Sequence, residues 1–141
     1  MKQRHSYCRL AVHLVFHTKY REHLIRKPSD LEFLFDAMKK KAHDLDCYIE
    51  EFGGWRDHCH LLAQLRATVR LSDLYSQLKG YSAKAWMKCF PERPYKWGDG
   101  VYAKTVDPDR CDDLRRYIRR QWSRHESGLL VPEWERELEQ D

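Results

Sequence analysis

No stretch of the 141-residue chain approaches the roughly 20 consecutive apolar residues that a membrane-spanning helix needs, so a helical membrane protein is excluded. There is no GxxxxGK(S/T) loop, and no nucleotide cofactor is expected. The five cysteines, Cys8, Cys47, Cys59, Cys89 and Cys111, are odd in number and contain no CxxC pair. That argues against both a disulfide framework and a zinc knuckle; each cysteine sits in an apolar pattern and reads as a small buried hydrophobe. No internal repeat or low-complexity linker divides the chain, so one domain over residues 1–141 is expected, with its core at about 7–125 and an acidic segment at 133–141. The N-terminal residues from Met1 to His5 lack a signal-peptide pattern, and a cytoplasmic location is expected.

What is present is charge, unevenly spread. Charged residues make up 34% of the chain and hydrophobic ones 42%, the balance of a globular protein. The formal charge is +4, but residues 133–141 carry five acidic side chains against Arg136 alone. The remaining body therefore has a surplus of eight positive charges. A basic body with an acidic tail suits a polyanion-binding surface.

Hydrophobic periodicity predicts the elements. From Tyr7 to Phe16 the chain alternates, with Cys8, Leu10, Val12, Leu14 and Phe16 on one side and Arg9, Ala11, His13 and Val15 on the other. Ser29 with Glu32 reads as a capping box for a helix from about Asp30 to Leu45. Cys47 to Phe52 reads as a strand ended by Gly53-Gly54, and His58 to Leu65 as its hairpin partner. Ser72 reads as the cap of a second helix that ends before Pro91. Val101 to Val106 makes a fourth strand, and Pro108-Asp109 opens a third helix with Cys111, Leu114, Ile118 and Trp122 facing inward. The order β-α-β-β-α-β-α predicts an α+β fold: a ferredoxin-like βαββαβ sandwich with an antiparallel sheet and an additional C-terminal helix. Both crossover helices then cover one sheet face, and the face carrying His58 and His60 is left open.

His58-Cys59-His60 on a strand puts two imidazoles on the same side while Cys59 enters the core, a suitable grip for a divalent metal. Tyr117 and Gln121 stand four residues apart on the third helix and flank its apolar stripe. A tyrosine hydroxyl is a competent nucleophile when a metal and a base assist it, and a glutamine amide oxygen is a hard donor suited to magnesium or manganese. Each feature alone also has a plain structural explanation: strand histidines, a boundary aromatic, a solvated helix glutamine.

Five segments together are more specific. They are His13-Leu14-Val15-Phe16-His17-Thr18-Lys19-Tyr20-Arg21, Asp57-His58-Cys59-His60-Leu61-Leu62, Gln77-Leu78-Lys79-Gly80-Tyr81-Ser82-Ala83, Trp97-Gly98-Asp99-Gly100-Val101-Tyr102 and Tyr117-Ile118-Arg119-Arg120-Gln121. In order and spacing the chain resembles the single-tyrosine HUH transposases of the insertion sequence 200/605 family. The resemblance implies that His58 and His60 ligate a divalent metal (Mg2+ or Mn2+), that Gln121 is the third protein ligand, and that Tyr117 is the catalytic nucleophile. It further implies cleavage and rejoining of single-stranded DNA through a 5′-phosphotyrosine link, recognition of subterminal DNA hairpins, and a homodimer in which the tyrosine helix of one chain can complete the metal site of the other, with use in cis or in trans left open. Ala11 and Val15, uncovered by a crossover helix, lend that dimer support. His125 departs from the family's commoner His-rich ending and is given no role.

Candidate DNA contacts are Lys19, Arg21, Lys79 and Lys84, with the arginines of the last helix and with Tyr20 and Tyr81 as stacking platforms. Three other readings compete: a domesticated hairpin-binding protein that does not transpose, an HUH nickase related to replication or conjugation relaxases, and a ferredoxin-like RNA binder with incidental histidines.

Overall fold

The structure is a computed structural model whose described residues are 9–130 and 134–135. The expected strand start at Tyr7 and most of the acidic segment 133–141 lie outside them. β1 (Leu10–His17), α1 (Pro28–Asp44), β2 (Tyr48–Trp55), β3 (His58–Leu65), α2 (Leu71–Cys89) and β4 (Tyr102–Thr105) follow in the expected order. The strands form one sheet in the order β2-β3-β1-β4, with every neighbouring pair antiparallel. This is the α+β arrangement the sequence predicts. No helix among the described residues is long and apolar enough to cross a membrane.

α1 and α2 pack on one sheet face. Leu31, Leu34, Met38 and Ala42 of α1, and Leu74, Leu78 and Trp86 of α2, bury against Leu14, Phe16, Cys59 and Leu61. Each large apolar side chain enclosed this way contributes on the order of 1.5–3 kcal/mol, which outweighs the small helix-end terms. The helix starts illustrate the point, because neither expected serine cap forms. α1 begins at Pro28 behind Lys27, and α2 begins at Leu71 behind Arg70, with no side-chain cap at either. Pro28 suits a first helical position because its φ is already fixed.

Asp30 anchors the start of α1 instead. Its carboxylate accepts from the Arg26 backbone N–H at 2.9 Å and from both terminal nitrogens of Arg93 at 3.2 and 2.9 Å. Burial pushes the Asp30 pKa up, but the Arg93 and backbone hydrogen bonds outweigh it and hold the carboxyl below the usual range. A depressed pKa stabilises the fold above the unfolded carboxylate pKa of about 3.9, and that stability is lost as pH falls through the folded value. Asp30→Ala strands Arg93 and is expected to cost about 3–5 kcal/mol. Urea denaturation at neutral pH checks this, and an unchanged midpoint would contradict it.

β2 corrects a boundary. It runs through Gly53-Gly54 to Trp55 rather than stopping at Phe52. Gly53 pairs with His60 and shares its face. A Cβ there would lie 1.9 Å from the backbone oxygen of Ile118, so the missing side chain lets the following helix sit directly on the strand. Gly54 faces the other layer, where a Cβ would meet the His58 carbonyl oxygen at 2.5 Å.

The third helix differs in two ways. It breaks at Arg120 (φ −101, ψ 14) into α3 (Cys111–Arg119) and α4 (Gln121–Ser127). It also covers the sheet face expected to be open: Cys111, Leu114 and Ile118 pack on Ala11 and Leu62. Nine residues are too few for a stable isolated helix, so this packing holds α3. Ion pairs from Arg115 to Glu50 and from Arg119 to Glu51, beside the β2 bulge, add tethers. Ala11 and Val15 are consequently buried inside one chain and offer no exposed dimer patch. Trp122, expected inward, is half-buried against Trp55, with ring centroids 4.7 Å apart.

Gly53→Ala forces α3 off the sheet. A loss of about 1–3 kcal/mol is expected, read as a lower thermal midpoint; a midpoint equal to the parent would show that α3 adjusts freely.

Candidate active site

Strand register assembles four imidazoles on one sheet face. β1 and β3 pair His17 with His58 and Val15 with His60, and His13 lies two residues further along on the same side. His58 and His60, the expected ligands, are both buried. Asp57 Oδ1 lies 2.7 Å from His58 Nδ1, which donates to it and turns Nε2 toward the helix layer. Arg21 Nε donates to the other Asp57 oxygen at 3.1 Å. Tyr20 and Arg21 both take left-handed backbone conformations (φ 56 and 57), and this reversal after β1 brings Arg21 back to Asp57.

The broken helix delivers the other two expected residues. Gln121 is fully buried, with Oε1 at 3.3 Å from His58 Nε2. The Tyr117 ring lies edge-on to His60, centroids 6.1 Å apart. Tyr117 is deeply enclosed, 1% exposed, where a rim position was expected. The Trp134 ring covers it at 4.9 Å and the Arg124 guanidinium lies 4.9 Å from its ring centre. A single chain thus brings together Tyr117, His58, His60 and Gln121.

Two residues given no site role in the sequence reading join them. His125 Nε2 lies 3.0 Å from Gln121 Oε1 and 2.8 Å from Glu135 Oε1. Glu135 Oε2 lies 2.8 Å from His60 Nε2, and Oε1 lies 3.6 Å from His58 Nε2. Ligand atoms of His58, His125 and Glu135 all fall within 4.8 Å of one another. The sequence does hold a signal for His125, since it follows Gln121 by one helical turn. Glu135 had none, because its approach depends on how the chain returns after α4. Asp57 and His13 stood in the quoted segments without a role.

The electrostatics are divided. Burial lowers the His60 pKa to about 4, despite the Glu135 carboxylate. Burial, with His60 beside it, lowers that of His13 to about 3. For His58, burial pulls down but the Asp57 and Glu135 carboxylates prevail, so its pKa is raised. Glu135 is held well below the usual carboxylate range: burial opposes this, but the imidazoles of His125, His58 and His60 crowded against its carboxylate outweigh it.

The group fits a divalent cation. His60 Nε2 and Glu135 Oε2, which can both present lone pairs, are buried without an aligned hydrogen-bond partner; Gln121 Nε2, an amide donor, is also unpaired and is not a ligand atom. The 2.8 Å approach of His60 Nε2 to Glu135 Oε2 is close in distance but not aligned as a hydrogen bond. Unpaired lone pairs converging in a buried site are costly unless something positive satisfies them. Imidazole nitrogens with amide and carboxylate oxygens form a donor set that manganese, and less readily magnesium, accepts. A cavity of about 100 Å³ adjoins the group, lined by His17, Arg21, His58, His60, His125 and Glu135.

Of the expected DNA contacts, Lys19 pairs with Asp99 at 3.2 Å and Arg21 with Asp57. The Lys79 ammonium reaches the carbonyl oxygens of Gly98 and Gly100, and Gly98 N–H in turn bonds the His17 carbonyl. Arg21 therefore borders the histidine group, whereas Lys19 and Lys79 lie near the His17 end of β1 against the 98–100 loop. Lys84 is exposed on α2.

Residues 6–121 match the family model described as "Transposase IS200 like". The chain belongs to the IS200-like transposase family. Two solved structures resemble this transposase-family chain in fold. One is a transposase candidate from Deinococcus radiodurans R1, 23% identical, covering 86% of this chain and 98% of its own, with a TM-score of 0.68. The other is a REP-associated tyrosine transposase bound to a REP hairpin, 14% identical, covering 92% of this chain and 76% of its own, with a TM-score of 0.61. No curated protein matches this chain in sequence.

Proposed function

We propose that this IS200-like family member is a metal-dependent transposase, a single 1–141 domain acting in the cytoplasm, that cleaves and rejoins single-stranded DNA through Tyr117. The observation that carries the reading is the meeting of Tyr117 with His60 inside one chain, with His58 and Gln121 alongside. His58, His60 and Gln121 would hold the cation, with His125 and Glu135 within reach of it. When bound, Mg2+ or Mn2+ supplies charge neutralisation at the phosphate under attack.

The chain's own groups supply the rest. Asp57 orients His58 through Nδ1, and Arg21 holds Asp57 in place. Tyr117 oxygen attacks phosphorus; the Tyr O–P bond forms, the P–O3′ bond breaks, and the phenolic proton is lost as the 3′-oxygen leaves as a hydroxyl. The DNA stays linked as a 5′-phosphotyrosine, which preserves the phosphodiester's energy for rejoining. Lys19, Arg21 and Lys79 give salt-dependent phosphate affinity near the site, and Lys84 extends that surface along α2. The expected substrate is single-stranded DNA with hairpins at element ends, in keeping with the hairpin-bound relative. A homodimer is retained as part of the reading, although one chain suffices to bring Tyr117 to His60.

The test is incubation with single-stranded DNA bearing a hairpin, with Mg2+ or Mn2+ or with a chelator. A covalent DNA–protein adduct that depends on the metal supports the reading; adduct formation in excess chelator contradicts it.

A second reading, a hairpin-binding protein that does not cleave, is favoured by the Trp134 ring lying over Tyr117. DNA can reach the phenol only if Trp134 moves. Trp134→Ala is therefore expected to raise adduct yield several-fold on the transposase reading. Tight hairpin binding with no adduct from either protein would favour the binder.

A further inference from the structure

We propose that His13 is the positioning residue for His60: its Nε2 accepts a hydrogen bond from His60 Nδ1 and so fixes the tautomer in which the His60 Nε2 lone pair faces the cation pocket. The inference rests on the cation-site reading given above. His60 is completely enclosed, and each of its ring nitrogens meets one group: Nε2 approaches Glu135 at the pocket, and Nδ1 lies 2.9 Å from His13 Nε2.

A neutral imidazole carries one proton on one of two nitrogens, and only the bare nitrogen can ligate a cation. With the proton on Nε2, His60 would present N–H to the pocket and hold nothing. With the proton on Nδ1, the pocket sees a lone pair, and the buried N–H needs an acceptor. His13 Nε2 is the atom within reach. The ring geometry agrees. The centroids are 5.1 Å apart with planes 17° from parallel. That separation nearly equals the N···N contact plus the two ring radii, its largest possible value, so the rings lie edge to edge. A lone pair in the plane of the acceptor ring requires that arrangement, and a face-to-face stack would not supply it.

His13 is itself well held. It is 2% exposed on β1 and lies edge-on to Tyr102 at 5.5 Å. The two β3 histidines are thereby served alike, His58 by the carboxylate of Asp57 and His60 by an imidazole. Metal-ligating histidines commonly donate their second nitrogen to an outer partner, whose loss weakens metal affinity about 10–100-fold.

The first measurement needs no metal. Long-range 15N–1H NMR of the cation-free protein, with His60 assigned by comparison with His60→Gln, is expected to show His60 protonated at Nδ1. Protonation at Nε2 would overturn the proposal. The second is Mn2+ affinity by calorimetry for the parent, His13→Phe, His13→Gln and His60→Ala. His13→Phe is expected to lose about 10–100-fold, with His13→Gln, whose amide oxygen can accept, recovering most of it. Parent-like affinity in His13→Phe would overturn the proposal. If His13→Phe fails to fold, the NMR measurement on the parent decides. If the parent and His60→Ala bind Mn2+ equally, the cation-site reading fails, and the tautomer separately decides whether His13 accepts from His60.

Discussion

Tyr117→Phe is expected to abolish the covalent DNA adduct, a loss of about 10³-fold or more, while hairpin binding stays within a few-fold of the parent. The substitution removes one oxygen and leaves the ring's contacts with Trp134, His60 and Arg124 in place. Ring packing survives, so the fold and the basic surface should survive with it. Only the nucleophile is lost, and no neighbouring group offers a replacement of the same kind. The measurement pairs a denaturing gel for the adduct with a binding titration on the same hairpin DNA. An adduct from the Phe variant at the parental level would sink the assignment of Tyr117. Loss of both adduct and binding would instead point to a DNA-binding role for the hydroxyl.

His60→Ala is expected to reduce Mn2+ affinity by about 100-fold or more, because outer partners alone are worth 10–100-fold, and to suppress the adduct in step. His60 is fully buried, held through Nδ1 by His13, with Nε2 facing Glu135, and central to the sheet face. Its removal also leaves His13 without its hydrogen-bond partner and Glu135 without one of its close imidazoles, so some loss of stability accompanies it. The two effects separate experimentally: raising the Mn2+ concentration restores activity lost through weak binding, but not activity lost through unfolding. Full activity of His60→Ala at low Mn2+ would rule out His60 as a ligand.

Much of the fold was legible because it rests on short-range periodicity. Alternation identified β1 and β3, and the spacing of Leu31, Leu34, Met38 and Ala42 identified α1. The serine caps failed because an end term of about 1 kcal/mol is easily overridden by packing and by Pro28. Gly53-Gly54 looked like a strand terminator, since local chemistry says turn; only the arrival of Ile118 explains why the pair continues the strand. Likewise the break at Arg120 follows from how α3 and α4 settle against β2 and β3, not from a proline or glycine in the helix.

The site divides in the same manner. By itself the sequence determined that His58 and His60 share a side, because a strand's period of two is a property of the backbone, and that Tyr117 and Gln121 lie one turn apart, because the helix pitch is too. Which distant groups meet them was decided by tertiary structure. β1–β3 register set His13 against His60, the left-handed pair Tyr20-Arg21 returned a guanidinium to Asp57, and the chain beyond α4 brought Trp134 over Tyr117 and Glu135 to the histidines. Contacts across many tens of residues depend on the summed packing of the whole domain, and no local pattern encodes that sum.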